Sequence, residues 1–252
     1  MSDNPIAYVL LDSFVVPKMT ALAEALRERH PELPVELLHP AGSPVIRCGD
    51  QEVVVMSMPA PIGAGHGMWS RATVIWPEAK AVAARHQGHV IVSTLSRERQ
   101  LPAIRITTAV VGALIAATPE CCAVVWSDQV ARSAKLWLAE SCRTFAAFPD
   151  YPFTLWLDVL PFRSGDLIGA ATKGLAAFVG REIEFEAAKL DLRAVIDNVA
   201  GLAVYLVEHG AVIKDGDVFG GADEPGRFRV RYANSTRFPG LPVFFCGEPL
   251  AS

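Results

Sequence analysis

The chain has 252 residues, which is enough to bury one large core or two smaller ones. Apolar residues make up 51% and charged residues 20% of it, an ordinary globular composition that argues against long disordered regions. The net charge of −4, without any run of Lys or Arg, argues against nucleic acid as a partner.

The sequence does not predict membrane insertion or secretion. No apolar stretch approaches the roughly 20 residues that span a bilayer. Residues 1–5 also lack the basic start of a signal peptide. The five cysteines have no metal-type spacing, so we interpret them as reduced, mostly buried thiols. We therefore expect a cytoplasmic protein without a metal site or a cofactor.

The first part of the chain predicts the order strand, helix, strands, helix, strand. Apolar runs predict the strands, and apolar residues at helical spacing from Met19 predict a helix that Pro17 opens and Pro31 ends. A second helix is predicted over 72–85, bent at Pro77. This order matches the split βαβ plan, so we predict a ferredoxin-like (βαββαβ) first lobe with helices on one face of an antiparallel sheet. The predicted strands are 6–11, 35–38, 45–48, 52–58 and 89–95.

The rest of the chain also alternates predicted helices and strands, so we predict a second α+β lobe. The turn-forming segment 149–152, with a proline at each end, predicts a boundary that divides the chain into lobes 1–150 and 151–252. One continuous domain is the alternative. We expect two closely packed lobes with antiparallel or mixed sheets covered by helices. Further helices are predicted over 104–117, 131–145 and 192–208, and further strands over 123–126, 153–159, 167–178 (irregular), 182–186, 227–232 and 243–245.

Two of the strands in the second lobe alternate charged with apolar residues. In the strand 182–186 this alternation predicts that the glutamate side faces water. In the strand 227–232 it places Arg227, Arg229 and Arg231 on one face. Those arginines either clamp an acidic partner or are simply solvated, and the sequence leaves both open.

The glycines at 63–67 and the nearby histidines invite a catalytic or phosphate-binding interpretation. The glycine spacing is neither GxGxxG nor a loop ending in Gly-Lys-Ser/Thr, so a surface loop is favoured. His66, His86 and His89 could act as ligands or general bases, but no Cys or carboxylate stands at a third-ligand interval. Their spacing favours hydrogen bonding at the ends of secondary-structure elements.

The turn 213–221 carries Lys214, Asp215 and Asp217 between glycines. The Asp-x-Asp pair suggests cation binding, but a calcium loop needs more oxygen ligands and a closing Glu, which are missing in register. Asp-Gly is also a strong turn signal, so a structural turn is favoured.

Tryptophans suggest one contact patch and part of the core. Trp69 and Trp76, near the glycine loop, could anchor a protein contact, because exposed tryptophans often do so. Trp126 and Trp156 lie in apolar runs, so we predict that they are buried.

One ordered set of segments carries a family resemblance: 58–62, 72–79, His86 with 89–92, 123–126, and 212–217 with Arg227 to Arg231. This set resembles the bacterial family of the domain of unknown function DUF4261. The family brings no established activity, so the resemblance assigns no catalytic residue. It implies an accessory or immunity protein of a secreted-toxin system, which would neutralise a toxin or effector by binding it.

Two functions from different classes follow. The first is a non-enzymatic protein-binding protein, with no nucleic acid and no membrane as partner, whose candidate contact residues are His66, Trp69, Lys214, Asp215, Asp217, Arg227, Arg229 and Arg231. The second is a small-molecule enzyme with a pocket between the lobes, built from His66, His86, His89, Asp215 and Asp217.

Overall fold

The computed structural model describes residues 5–38, 44–63, 67–95, 101–188, 190–220 and 227–249. The chain forms two compact units, Met1–Leu155 and Trp156–Ser252. Each unit contains one sheet with its own helices, so the predicted α+β class is confirmed.

The sheet of the first unit is antiparallel throughout its described strands. It runs in the order β2-β3-β4-β5-β1-β6-β7, so the first strand lies between β5 and β6. Its strands are β1 (Ile6–Leu11), β2 (Val35–Leu38), β3 (Val45–Cys48), β4 (Gln51–Met58), β5 (Gly88–Leu95), β6 (Cys121–Trp126) and β7 (Val130–Ser133).

Helices pack on both sides of this sheet. Leu10 of β1 lies in a core cluster with Trp69 and Val82, so α2 and α3 cover the face to which Leu10 points. Helices α1 and α4 pack against each other, and Thr107 of α4 shares a hydrogen bond with Thr94 of β5 on the opposite face, which corrects the prediction of helices on one face. The helices are α1 (Met19–Arg29), α2 (Gly67–Ala72), α3 (Ala79–Arg85), α4 (Leu101–Ala117) and α5 (Ala134–Glu140).

The ferredoxin-like assignment of this unit stays a prediction. Strand β1 is central and the strands pair antiparallel, as that plan requires. The sheet nevertheless extends beyond the four strands of the plan, because β2 and β3 continue one edge and β7 continues the other.

The segment predicted as one bent helix over 72–85 is two separate helices. Helix α2 ends at Ala72 and α3 begins only at Ala79. Pro77 has no N–H to donate and disfavours a helical conformation at the residue before it, which explains the break between them.

The segment predicted as a helix over 131–145 begins as a strand. Strand β7 pairs with β6 through a tight turn in which the Gln129 amide donates to the Trp126 carbonyl at 3.0 Å. Ser133 then caps α5 by accepting from the Leu136 amide at 3.2 Å. The predicted strand 153–159 is likewise displaced, since Phe153–Leu155 form a short 3-10 helix before the next strand.

The second unit has a mixed sheet in the order β11-β12-β13-β10-β9-β8. Strands β10 and β13 are parallel, and the other described pairs are antiparallel. The strands are β8 (Asp158–Ser164), β9 (Leu167–Lys173), β10 (Glu182–Ala187), β11 (Val218–Phe219), β12 (Phe228–Asn234) and β13 (Pro242–Pro249), and the helices are α6 (Ala176–Val179) and α7 (Leu192–His209).

Helix α7 covers part of this sheet and confirms the clearest helix prediction. Asp191 accepts a hydrogen bond from the Ala194 amide at 2.8 Å as the N-cap, and Gly210 ends the helix. The apolar stripe of the helix packs on β8, β9 and β10, which leaves β11 and β12 beyond its edge.

Candidate functional site

Three exposed arginines form a strip along β12 and the residue just before it, which we call the arginine strip (Arg227, Arg229 and Arg231). Phe228 and Val230 alternate with them and are fully buried, so the prediction that the arginines share one face is confirmed. Arg229 donates to the Gly216 carbonyl at 3.3 Å. Within the described ranges, no carboxylate forms an ion pair with an arginine of the strip.

The turn beside the strip is held by its own acidic side chains. Asp215 accepts from the Tyr232 amide at 2.7 Å, and Asp217 accepts from the Lys214 amide at 2.8 Å. Gly216 has a positive φ of 89°, a conformation that favours glycine. These bonds support the structural interpretation of the turn and leave the exposed Lys214 side chain at its surface. The last residue of the predicted turn, Gly221, lies outside the described residues.

This turn also closes the edge of β12. The Gly216 amide donates to the Val230 carbonyl at 2.8 Å, and the Val230 amide donates to the Asp217 carbonyl at 2.7 Å. The Asp215 carboxylate accepts the hydrogen bond from the Tyr232 amide that the carbonyl of a neighbouring strand would otherwise accept. Since these edge groups are already bonded, a partner would meet the arginine side chains rather than add a strand here.

The glutamates of β10 contradict the prediction that their side faces water. Glu182 and Glu184 are each only 1% exposed. Glu182 accepts from the Thr172 hydroxyl at 2.8 Å and from the amides of Gly174 and Leu175 at 2.8 and 3.0 Å. We call Glu182, Glu184 and Glu186 the glutamate row.

A segment remote in sequence covers the rest of the glutamate row. The hydroxyls of Ser235 and Thr236 both donate to Glu184 at 2.6 Å. Arg237 lies 3.5 Å from Glu186 and stacks over the Phe162 ring. These donors satisfy the buried carboxylates, which are therefore structural. No local pattern in 182–186 could have revealed partners about fifty residues away.

The histidines of the first unit hold the segment that follows β4. His86 accepts from the Ile62 amide at 2.9 Å through Nε2, and its Nδ1 donates to the Ala83 carbonyl at 2.8 Å. His89 Nδ1 lies 2.7 Å from the Ala60 carbonyl. Burial lowers the pKa of His86, which favours the neutral ring that these bonds require. His66 lies outside the described residues.

These contacts give the residues of the enzyme hypothesis structural roles within their own units. His86 and His89 anchor backbone in the first unit, and Asp215 and Asp217 anchor the turn in the second. Within the described ranges, no cluster of three or more His, Cys, Asp or Glu side chains could hold a metal ion.

Trp69 does not belong to a contact surface. It is 1% exposed and packs in the core cluster with Leu10 and Met68, so its inclusion among the partner contacts is corrected. Trp76 is partly buried against the same cluster. Trp126 and Trp156 are buried as predicted.

The free cysteines vary in burial. Cys48 and Cys246 are buried, and Cys142 is exposed. Burial raises the pKa of Cys48 and of Cys246 to about 12, which keeps both thiols protonated and unreactive near neutral pH.

A groove of about 880 Å³ lies in the second unit beside α7. One wall is the α7 face from Ala194 to Tyr205, the other is formed by residues of 212–219, and Val230 of β12 belongs to the lining. Because Val230 alternates with Arg229 and Arg231, the groove and the arginine strip lie on opposite faces of the sheet. No local pattern indicates the groove, because it forms between segments that the fold brings together.

Comparisons with known proteins add one finding. Residues 171–242 match the family model described as domain of unknown function (DUF4261). That range contains the glutamate row, α7, the turn and the arginine strip. No curated protein and no solved structure matches the chain. None of the helices in the described ranges is both long and apolar enough to cross a membrane.

Proposed function

We propose that the arginine strip, which lies within the residues 171–242 that match the DUF4261 family model, binds an acidic surface of a partner protein. The chain would then act by binding rather than by catalysis. The observation that carries the proposal is the exposure of three like charges at alternate positions from Arg227 into β12, without an ion-pair partner within the described chain.

The chemistry of the strip suits a carboxylate-rich surface. Guanidinium groups offer several donors in a fixed plane and bind carboxylates through paired hydrogen bonds. The chain as a whole has a net charge of −4, so the strip is a local positive patch on an acidic protein. Such a patch orients an acidic partner during association and gives a rate that falls with salt.

The backbone beneath the strip is fixed before any partner arrives. Strand β12 pairs with β13 along one edge, and the turn around Asp215 and Asp217 occupies the other. Phe228 packs edge-on against Phe185 in the core, with ring centroids 4.5 Å apart. Binding therefore orders only the arginine side chains, which lowers its entropic cost.

The partner that we propose is a bacterial toxin or effector, which the chain would neutralise in the cytoplasm by covering it. This would make the chain an immunity or accessory protein of a secreted-toxin system. An acidic target surface is what the arginine strip requires of that partner.

Co-expression of the tagged chain with the product of each adjacent gene tests this function. The reversed variant carries Arg227→Glu, Arg229→Glu and Arg231→Glu. The control carries Lys18→Glu, Lys80→Glu and Lys135→Glu, which are exposed positions of the first unit with the same change in charge. We expect one product to co-purify with the native chain and the control, and to be lost from the reversed variant.

The same pair of variants separates binding from neutralisation. A retained product that is toxic to cells should be tolerated when the native chain or the control is present, and not with the reversed variant. If no adjacent product is retained, or if the reversed variant retains it as well as the native chain does, the proposed function is wrong.

A further inference from the structure

We propose that the groove beside α7 is a second binding site, which takes an apolar peptide segment bearing a lysine or arginine from a partner protein. This site goes beyond the arginine strip, because it lies on the opposite face of the sheet and would recognise the opposite charge. It does not depend on the function proposed for the strip.

The groove exposes apolar side chains that a folded protein usually covers. Tyr205 is 42% exposed and Val212 49%, and both line the groove. Tyr205 belongs to α7, and Val212 belongs to the segment that follows it. Burying these side chains against an apolar ligand would be favourable, since apolar surface is then removed from water.

Gly201 is a position at which a ligand can lie close to the backbone of α7. It lies in the middle of α7, is exposed, and lines the groove. A glycine in a helix interior costs about 1 kcal/mol relative to alanine. Nothing lies within 4 Å of the position that its Cβ would occupy, so no neighbour in the described chain requires glycine there. The missing side chain instead leaves room for a peptide backbone against the helix.

The charges of the groove select a basic segment. Asp197 and Asp217 are its charged lining residues, and no Lys, Arg or His is among the described residues that line it. Within the described ranges, the ion-pair partner of Asp197 is Arg193, at 3.8 Å in an exposed pair. Asp217 uses one carboxylate oxygen for the Lys214 amide. A lysine or arginine of the ligand would complement both carboxylates.

The length of the groove favours a peptide over a compact small molecule. The α7 wall runs from Ala194 to Tyr205, which corresponds to about 16 Å along the helix axis. That distance fits three turns of a helix or about five extended residues.

A phage-displayed library of random peptides of about twelve residues, matched to this length, tests the site on the full-length chain. We expect enriched peptides to combine apolar residues with Lys or Arg. Their affinity, measured by fluorescence anisotropy, should fall roughly tenfold or more for Gly201→Phe, because the new ring fills the groove. Asp197→Lys, at an exposed position, should lower the affinity of these peptides as well.

Two controls make the result specific to the groove. Ala139→Phe introduces the same ring at an exposed position of α5 and should bind the peptides as the native chain does. The reversed arginine variant should also bind them normally, so failure of the strip and failure of the groove are separate outcomes. If no peptide is enriched, if acidic peptides are enriched, or if Gly201→Phe and Asp197→Lys both bind as well as the native chain, the site is excluded.

Discussion

Strands β10 and β12 lie in one sheet and show the same sequence pattern, yet their charged residues have opposite environments. In both strands charged residues alternate with apolar residues, a pattern that predicts one solvent-exposed face. Glu182 and Glu184 are sealed beneath hydroxyls and amides, whereas Arg229 and Arg231 are exposed. Alternation therefore tells which residues share a face, but whether that face is wet depends on what the rest of the chain places over it.

The difference separates buried charges that stabilise the fold, in the glutamate row, from exposed charges, in the arginine strip. A carboxylate with two or three fixed donors stabilises the strand connections around it, and Glu182 and Glu184 are buried where a partner cannot reach them. An exposed guanidinium adds little to stability and keeps its donors available. The comparison assigns stability to the glutamate row and supports the recognition role that we propose for the arginine strip.

The largest effect is expected from Glu182→Ala. It removes the acceptor of three buried donors, so we expect the free energy of unfolding in urea to fall by about 3 kcal/mol or more. Glu24→Ala, at an exposed position of α1, should change it by no more than about 0.5 kcal/mol. Equal losses of unfolding free energy in the two variants would contradict the structural role given to Glu182.

A smaller loss is expected from Asp215→Ala in the turn. The Tyr232 amide loses its acceptor at an exposed site, which should cost about 1 kcal/mol of unfolding free energy. Asp215→Asn keeps an oxygen that accepts the same bond and should remain close to the native value. If the two substitutions are equally destabilising, the charge of Asp215 rather than its hydrogen bond supports β12.

A pH titration extends the comparison to a buried base in the first unit. Burial lowers the folded-state pKa of His86 below the unfolded value of 6.5, so its contribution is complete above that pH. As the pH falls toward the folded pKa, the unfolded state binds more protons and stability declines. His86→Gln removes this titration, so its unfolding free energy should depend less steeply on pH. Identical pH profiles would contradict the role given to His86.

The smallest effect is expected from the strip itself. The side chains of Arg227 and Arg231 make no hydrogen bond within the described chain, so Arg227→Gln and Arg231→Gln should each change the unfolding free energy by no more than about 0.5 kcal/mol. Loss of stability on the scale of Glu182→Ala would mean that the strip holds the fold and is not free for a partner.

Local sequence signals predicted the elements whose determinants lie close together in the chain. Helix α7 follows from its cap Asp191, its apolar stripe and Gly210, and the arginine strip follows from alternation alone. The burial of Glu184 depends on Ser235 and Thr236, and the groove depends on 212–219 lying beside α7. Such long-range contacts leave no periodic trace in the segment they cover.

Chemical labelling of the native protein tests the contrast between the two rows most directly. Carbodiimide coupling of carboxylates and phenylglyoxal modification of arginines would be followed residue by residue by mass spectrometry. We predict that Glu182 and Glu184 stay unlabelled while Glu24 reacts, and that Arg227 and Arg231 are modified readily. Labelling of Glu182 and Glu184 at the rate of Glu24, or protection of the strip arginines, would contradict the account.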